Sequence, residues 1–142
     1  MKATAPAPMR LESVAPQFTV ADVVKTSEYY RDILGFRIAG YWGTPPVFAI
    51  VYRDEVEIFF NRANGSKART GRARGAYDAY FRVVGLEKLA SDLAARGADT
   101  VEGPVRRAYN SLELIVRDCN GLVLAFGQDI PPRRASRIRA KR

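Results

Sequence analysis

Histidine does not occur anywhere in the 142 residues, so imidazole is missing as a general base, as a nucleophile's partner and as the commonest metal ligand. Ser/His/Asp and Cys/His catalysis and His-ligated zinc or iron are excluded on that ground. Proton transfer would fall to carboxylates and phenols, and Glu57, Asp78 and Tyr80 stand on strand-like runs where an apolar surrounding could raise a carboxyl enough to act as general acid or base. Binding chemistry is better represented. Trp42, the single tryptophan, precedes a Gly-Thr-Pro-Pro loop, and with Tyr41, Phe48 and Phe59 it is expected to form a stacking wall at a pocket rim. Gln17, Glu57, Asp78, Tyr80 and Arg82 supply polar groups that either face solvent or meet a ligand, with Arg82 free to pair Glu57 or Asp78. Cys119 is the only cysteine and cannot close an intramolecular disulfide.

The formal charge of +8 concentrates in two places. Residues 67–74 (KARTGRAR) and 133–142 (RRASRIRAKR) hold ten basic residues and no acid, leaving 13 basic against 15 acidic residues elsewhere. That distribution argues against a DNA-reading face and against nucleic acid as a partner. The tail follows Pro131-Pro132 and has little apolar content, so it is expected to be a disordered solubilising extension. The 61–75 loop suits either a lid over an anionic group, through arginine's forked donors, or a solvated linker; it lacks the Gly-x-x-x-x-Gly-Lys phosphate loop. No apolar run approaches the roughly 18 residues of a membrane helix and no signal peptide opens the chain, so the expected location is cytoplasmic and no membrane partner is expected.

These residues must be positioned by elements that the sequence repeats. Residues 13–20 (SVAPQFTV) alternate as a strand; Asp22 caps a helix over 23–34 that Gly35 ends; strands follow at 36–42, 47–53 and 55–60. After the loop come a strand at 76–84, a helix ending at Gly97, a short strand near Thr100, and strands at 111–117 and 122–128 about the turn Asp118-Cys119-Asn120-Gly121. Strand–helix–strand–strand–strand thus occurs twice, and the helix-ending glycines lie 62 residues apart, which indicates an internal duplication within one domain. The expected organisation is a flexible arm at 1–12, one domain at 13–128 (modules 13–62 and 76–128 joined by 63–75) and a basic tail at 129–142. Alternation predicts that Phe18, Val20, Val56, Ile58, Phe60, Phe81, Val83, Leu124 and Phe126 pack under the helices, with Ala15, Gln17, Thr19, Glu55, Glu57, Phe59, Asp78, Tyr80, Arg82, Val123 and Ala125 on the opposite faces.

FTVADVVKTSEYYRDILGF, FRVVGLEKLASDLAARGA and VRDCNGLVLAF, in that order and at that spacing, resemble the vicinal oxygen chelate superfamily, in its glyoxalase/bleomycin-resistance branch. The resemblance implies an α+β fold of two βαβββ modules whose sheets curl around a concave cavity, usually completed in a homodimer. It also implies a four-ligand metal site, but the matching positions here are Ala15, Glu57, Asp78 and Ala125, and two of these have no donor atom. The expectation is therefore a protein without metal or cofactor that binds a small molecule, with antibiotic sequestration as one form. The alternative is a cofactor-free enzyme of the same fold, with Glu57, Asp78 and Tyr80 as its acid–base groups. Gln17, Trp42, Phe48, Glu57, Phe59, Asp78, Tyr80 and Arg82 are the expected ligand-binding residues.

Overall fold

Asp22 takes an extended backbone, φ −139° and ψ 106°, and its carboxylate accepts from the N–H groups of Val24 and Lys25, both at 3.0 Å. These bonds satisfy two of the donors that a helix start leaves open, and they turn the chain from strand β1 (Gln17–Val20) straight into helix α1 (Val23–Asp32). Gly35 at φ 77° and Gly97 at φ 86° stand beyond the ends of α1 and of α2 (Leu86–Ala95) in the left-handed region that favours glycine. The computed structural model describes residues 5–64 and 76–132. The basic stretch 67–74, read as either a lid or a solvated linker, and the tail 133–142, read as a disordered extension, lie outside those residues.

Strands β2 (Arg37–Trp42), β3 (Phe48–Arg53) and β4 (Val56–Arg62) complete a four-stranded sheet in the order β1-β4-β3-β2, with β1 parallel to β4. Strands β5 (Ala79–Arg82), β6 (Asp99–Arg107), β7 (Ser111–Arg117) and β8 (Val123–Asp129) build the second in the order β5-β8-β7-β6, with β5 parallel to β8. The same topology thus appears twice, each sheet with one helix against it, and the duplicated α+β fold read from the sequence stands. The sheets are not closed: no backbone ladder joins one to the other among the described residues.

Three strands differ from expectation by more than two residues at an end. β1 starts at Gln17 rather than Ser13, because it lies at the sheet edge and pairs only with Phe59–Arg62 of β4. β5 is confined to Ala79–Arg82 for the same reason. The short strand near Thr100 is instead the nine-residue β6. Gly103-Pro104 reads as a breaker, yet β6 is an edge strand whose two register shifts absorb the pair.

The apolar phases fall where alternation puts them. Phe18, Val20, Ile58 and Phe60 are buried with Val23, Tyr30 and Leu34 from α1 and its C-terminal end; Phe81, Leu124 and Phe126 are buried with Leu86 and Leu93 of α2; Val56 and Val83 are half-buried at the margin. Polar contacts tie the modules together. Tyr30 donates to Asp118 Oδ2 at 2.6 Å, Asn120 Nδ2 to Thr26 Oγ1 at 3.0 Å, and Arg53 Nη2 to Asp92 Oδ2 at 3.4 Å. Asp118 also accepts from the N–H groups of Asn120 and Leu122, at 2.8 and 2.9 Å.

Candidate functional site

The face of the first sheet turned away from α1 is built from cross-strand rows. Gln17 lies opposite Phe59, Phe59 opposite Ile50 and Ile50 opposite Gly40; the next row runs Thr19, Asn61, Phe48, Trp42. Trp42 and Phe48 have ring centroids 5.6 Å apart at 59°, and Phe48 and Phe59 are 5.6 Å apart at 64°, so the three rings form a continuous tilted row. Trp42 is 48% exposed and the two phenylalanines are half-buried. Glu57 and Gln17 lie exposed on the same face, and no hydrogen bond or ion pair holds Glu57 among the described residues. Tyr41 does not join the wall. It pairs with buried Ala49 and so belongs to the helix side. Ile50 and Tyr52 share the wall's phase, as the alternation of Phe48, Ile50 and Tyr52 would have shown.

Asp78, Tyr80 and Arg82 belong to the second sheet. Asp78 Oδ2 accepts the Val123 N–H at 2.8 Å, which bridges the start of β5 to β8. Arg82 pairs with Asp129, not with Glu57 or Asp78, because its cross-strand partner is Gly127 and Asp129 follows two residues later on the same face. Its guanidinium also stands 5.8 Å from the centre of the Tyr80 ring.

Tyr80 reaches across β8 to a carboxylate that the sequence reading passed over. Glu113 on β7 is 1% exposed. Its Oε1 accepts from Arg107 Nε and from the Tyr109 hydroxyl, both at 2.9 Å; Oε2 accepts from the Tyr80 hydroxyl at 2.8 Å and from Ser111 Oγ at 3.4 Å. Arg107 is held in turn by Glu102 at 2.8 and 3.1 Å. Burial pushes the Glu113 carboxyl up, but the bonds from Arg107, Tyr80 and Tyr109 outweigh burial and hold it below the usual carboxylate range. Burial and Glu113 together push the Tyr80 phenol up, against the opposing bond with Ser111, so it remains a donor at neutral pH. A carboxylate whose oxygens each serve two donors is a structural anchor rather than a proton shuttle. The signal was present in SLELIVR: a lone acid in phase with Ser111 and Ile115 on an otherwise apolar strand.

The expected site residues therefore occupy two surfaces. Gln17, Trp42, Phe48, Glu57 and Phe59 share the open face of the first sheet; Asp78, Tyr80 and Arg82 lie on the second, and no hydrogen bond, ion pair or ring contact found among the described residues joins the two groups. The four positions matching a metal site do not fit a metal. Ala15 and buried Ala125 offer no donor and Asp78 has one oxygen committed to Val123; no cluster of three or more acidic, Cys or His side chains suited to a cation occurs among the described residues. A groove of about 610 Å³ opens between the modules; its floor (Leu34, Phe36, Phe81, Leu93 and Phe126) is already shielded from solvent, and the apolar surface it still offers comes from exposed Val84 and half-buried Val56, Val83 and Leu89.

No helix among the described residues is long and apolar enough to cross a membrane. No curated protein matches the chain in sequence. Among solved structures it is similar to TioX from Micromonospora sp. ML1, with TM-score 0.68 and 14% identity over 84% of this chain and 99% of that one. It is also similar to a glyoxalase/bleomycin resistance protein/dioxygenase from Nocardioides, with TM-score 0.66 and 15% identity over 92% and 91% of the two chains. A third, a glyoxalase-related enzyme from Clostridium phytofermentans, gives TM-score 0.64 and 14% identity over 86% and 98%. At these identities the likeness is one of fold alone. The sequence match extends over residues 10–126, and by it the chain belongs to the Glyoxalase/Bleomycin resistance protein/Dioxygenase superfamily.

Proposed function

We propose that this chain is a metal-independent small-molecule-binding protein, acting in the cytoplasm as a homodimer and holding its ligand against the open face of the first sheet in the manner of a drug-sequestering protein. One observation carries the reading. Phe18, Phe36, Phe60, Phe81, Phe126 and Tyr30 are all at most 7% exposed, whereas Trp42 is 48% exposed and heads a tilted row of rings that no helix covers among the described residues. Exposed aromatic surface of this kind lowers its free energy by meeting another apolar body. Metal independence is supported by the donor-free Ala15 and Ala125, and the dimer by the free edges of β1 and β5. Acid–base catalysis gains no comparable support, since Glu57 is on a different sheet from Asp78 and Tyr80.

The test uses the single tryptophan. Small molecules that raise the melting temperature are titrated against the purified protein while Trp42 emission is followed and light scattering reads the mass. Saturable emission change at one ligand per chain, at dimer mass and with the ligand recovered unaltered, is expected. Turnover of the ligand, or a stabilising ligand whose affinity Trp42→Leu leaves unchanged, defeats the reading.

A further inference from the structure

Gly40 stands in the interior of β2, where glycine weakens a strand, and its φ is not in the left-handed region, so backbone conformation does not demand it. Space does. A Cβ at residue 40 would stand 3.3 Å from Cη2 and 3.6 Å from Cζ2 and Cζ3 of Trp42, which means that the six-membered part of the indole lies down on the Gly40 backbone. One face of that ring is thus seated on the strand while Trp42 remains 48% exposed. Next to it Ile50 lies opposite Gly40, and Phe48 and Phe59 extend the row across β3 and β4.

We propose that Gly40 is a positioning residue which lets the Trp42 indole lie flat on β2 with one planar face free, and thereby selects planar aromatic ligands over apolar molecules of similar size but globular shape. The proposal rests on the ligand-binding reading above and names the ligand class of that site. A seated indole has one rotamer and one free face before the ligand arrives, so a flat ring system meets its full area without ordering the side chain. A cage-shaped molecule touches the same plane at only a few atoms and gains little from the seating. Valine at residue 40 would place γ-carbons where the indole lies, while β-branched side chains suit strands, so the substitution lifts Trp42 without disfavouring β2.

Acridine, flat and tricyclic, and 1-adamantanol, a compact cage, serve as probes in equilibrium dialysis against the full chain and its Gly40→Ala, Gly40→Val and Trp42→Leu variants. Trp42 emission without probe reports the seating of the ring. The wild type should bind acridine about tenfold more tightly than 1-adamantanol, roughly the stacking contribution of one aromatic pair. Gly40→Val and Trp42→Leu should each erase that preference by weakening acridine while changing 1-adamantanol less than twofold; Gly40→Ala should be intermediate. Gly40→Val should also shift the emission to the red. Equal binding of both probes by the wild type overturns the proposal and leaves the ligand-binding reading standing, whereas binding of neither overturns both. An undiminished preference in folded Gly40→Val, or in Trp42→Leu where Gly40→Val does not fold, also overturns the proposal.

Discussion

Replacing Gly127 by alanine would place a Cβ inside the Tyr80 hydroxyl and 3.0 Å from Cε1 of its ring, so the phenol would have to leave its place over β8. Two effects oppose each other. Alanine at a position without positive φ narrows the unfolded ensemble and stabilises by about 0.4 to 1 kcal/mol. Against this, displacing Tyr80 removes a 2.8 Å hydrogen bond from the buried, ionised Glu113, and a bond to a charged group is worth about 1.5 to 3 kcal/mol. The second effect is larger, and Gly127→Ala should destabilise by about 1 to 2 kcal/mol, read as a lower urea midpoint at unchanged slope. The stronger test is a double-mutant cycle with Tyr80→Ala, because Tyr80→Phe would keep the ring that clashes. With Tyr80 already truncated the three closest contacts of the new methyl are gone, and Gly127→Ala should be neutral or stabilising by up to about 1 kcal/mol. The same loss in both backgrounds, or a gain in the wild-type background, would refute the assignment of Gly127 as the gap through which Tyr80 reaches Glu113.

Glu113 also sets a pH dependence. Its folded carboxyl is held below the usual range, so the stability it contributes is fully present above its unfolded pKa and is lost as pH falls through the folded one. The stability difference between wild type and Glu113→Gln should accordingly shrink between neutral pH and about pH 3, and a difference that stays constant over that range contradicts the ionised anchor. Tyr30→Phe removes the 2.6 Å bond to Asp118, leaving a buried carboxylate with its two backbone donors, and should lower stability by about 1 to 3 kcal/mol in thermal denaturation; a loss below about 0.5 kcal/mol would mean that the contact does not bind the modules.

Much of this architecture is legible in the chain because it follows from period and punctuation. The cap at Asp22, the glycines after each helix and the apolar phases of β1, β4, β5 and β8 are local signals, and the structure keeps them. What escapes the sequence depends on register between strands far apart in it. Glu113 is ordinary until Tyr80, Arg107 and Tyr109 are brought to it, and Arg82 meets Asp129 only because β5 pairs with β8 in one register. Tyr41 and Trp42 look equivalent as neighbouring aromatics, yet consecutive strand residues face opposite ways, and a register shift between Ile38 and Gly40 decides which of them reaches the open face. Of the site, Trp42, Phe48 and Phe59 could be read as one face, whereas Glu113 shows in the sequence only as a lone acid on an apolar strand and its partners could not be read.

The contacts between the modules are unequal. At one end Tyr30 and Asp118 are both buried and 2.6 Å apart; at the other Arg53 meets Asp92 at 3.4 Å, with each side chain about one-third exposed. A partly solvated ion pair of that length is cheap to break, whereas separating the buried pair strands a phenol and a carboxylate away from water. No backbone ladder joins the two sheets among the described residues, so side chains carry the junction, and its polar contacts resist separation more at the tyrosine than at the arginine. Arg53 and Asp92 also line the groove between the modules, so the weaker of the two contacts is the one that sets the width of its mouth.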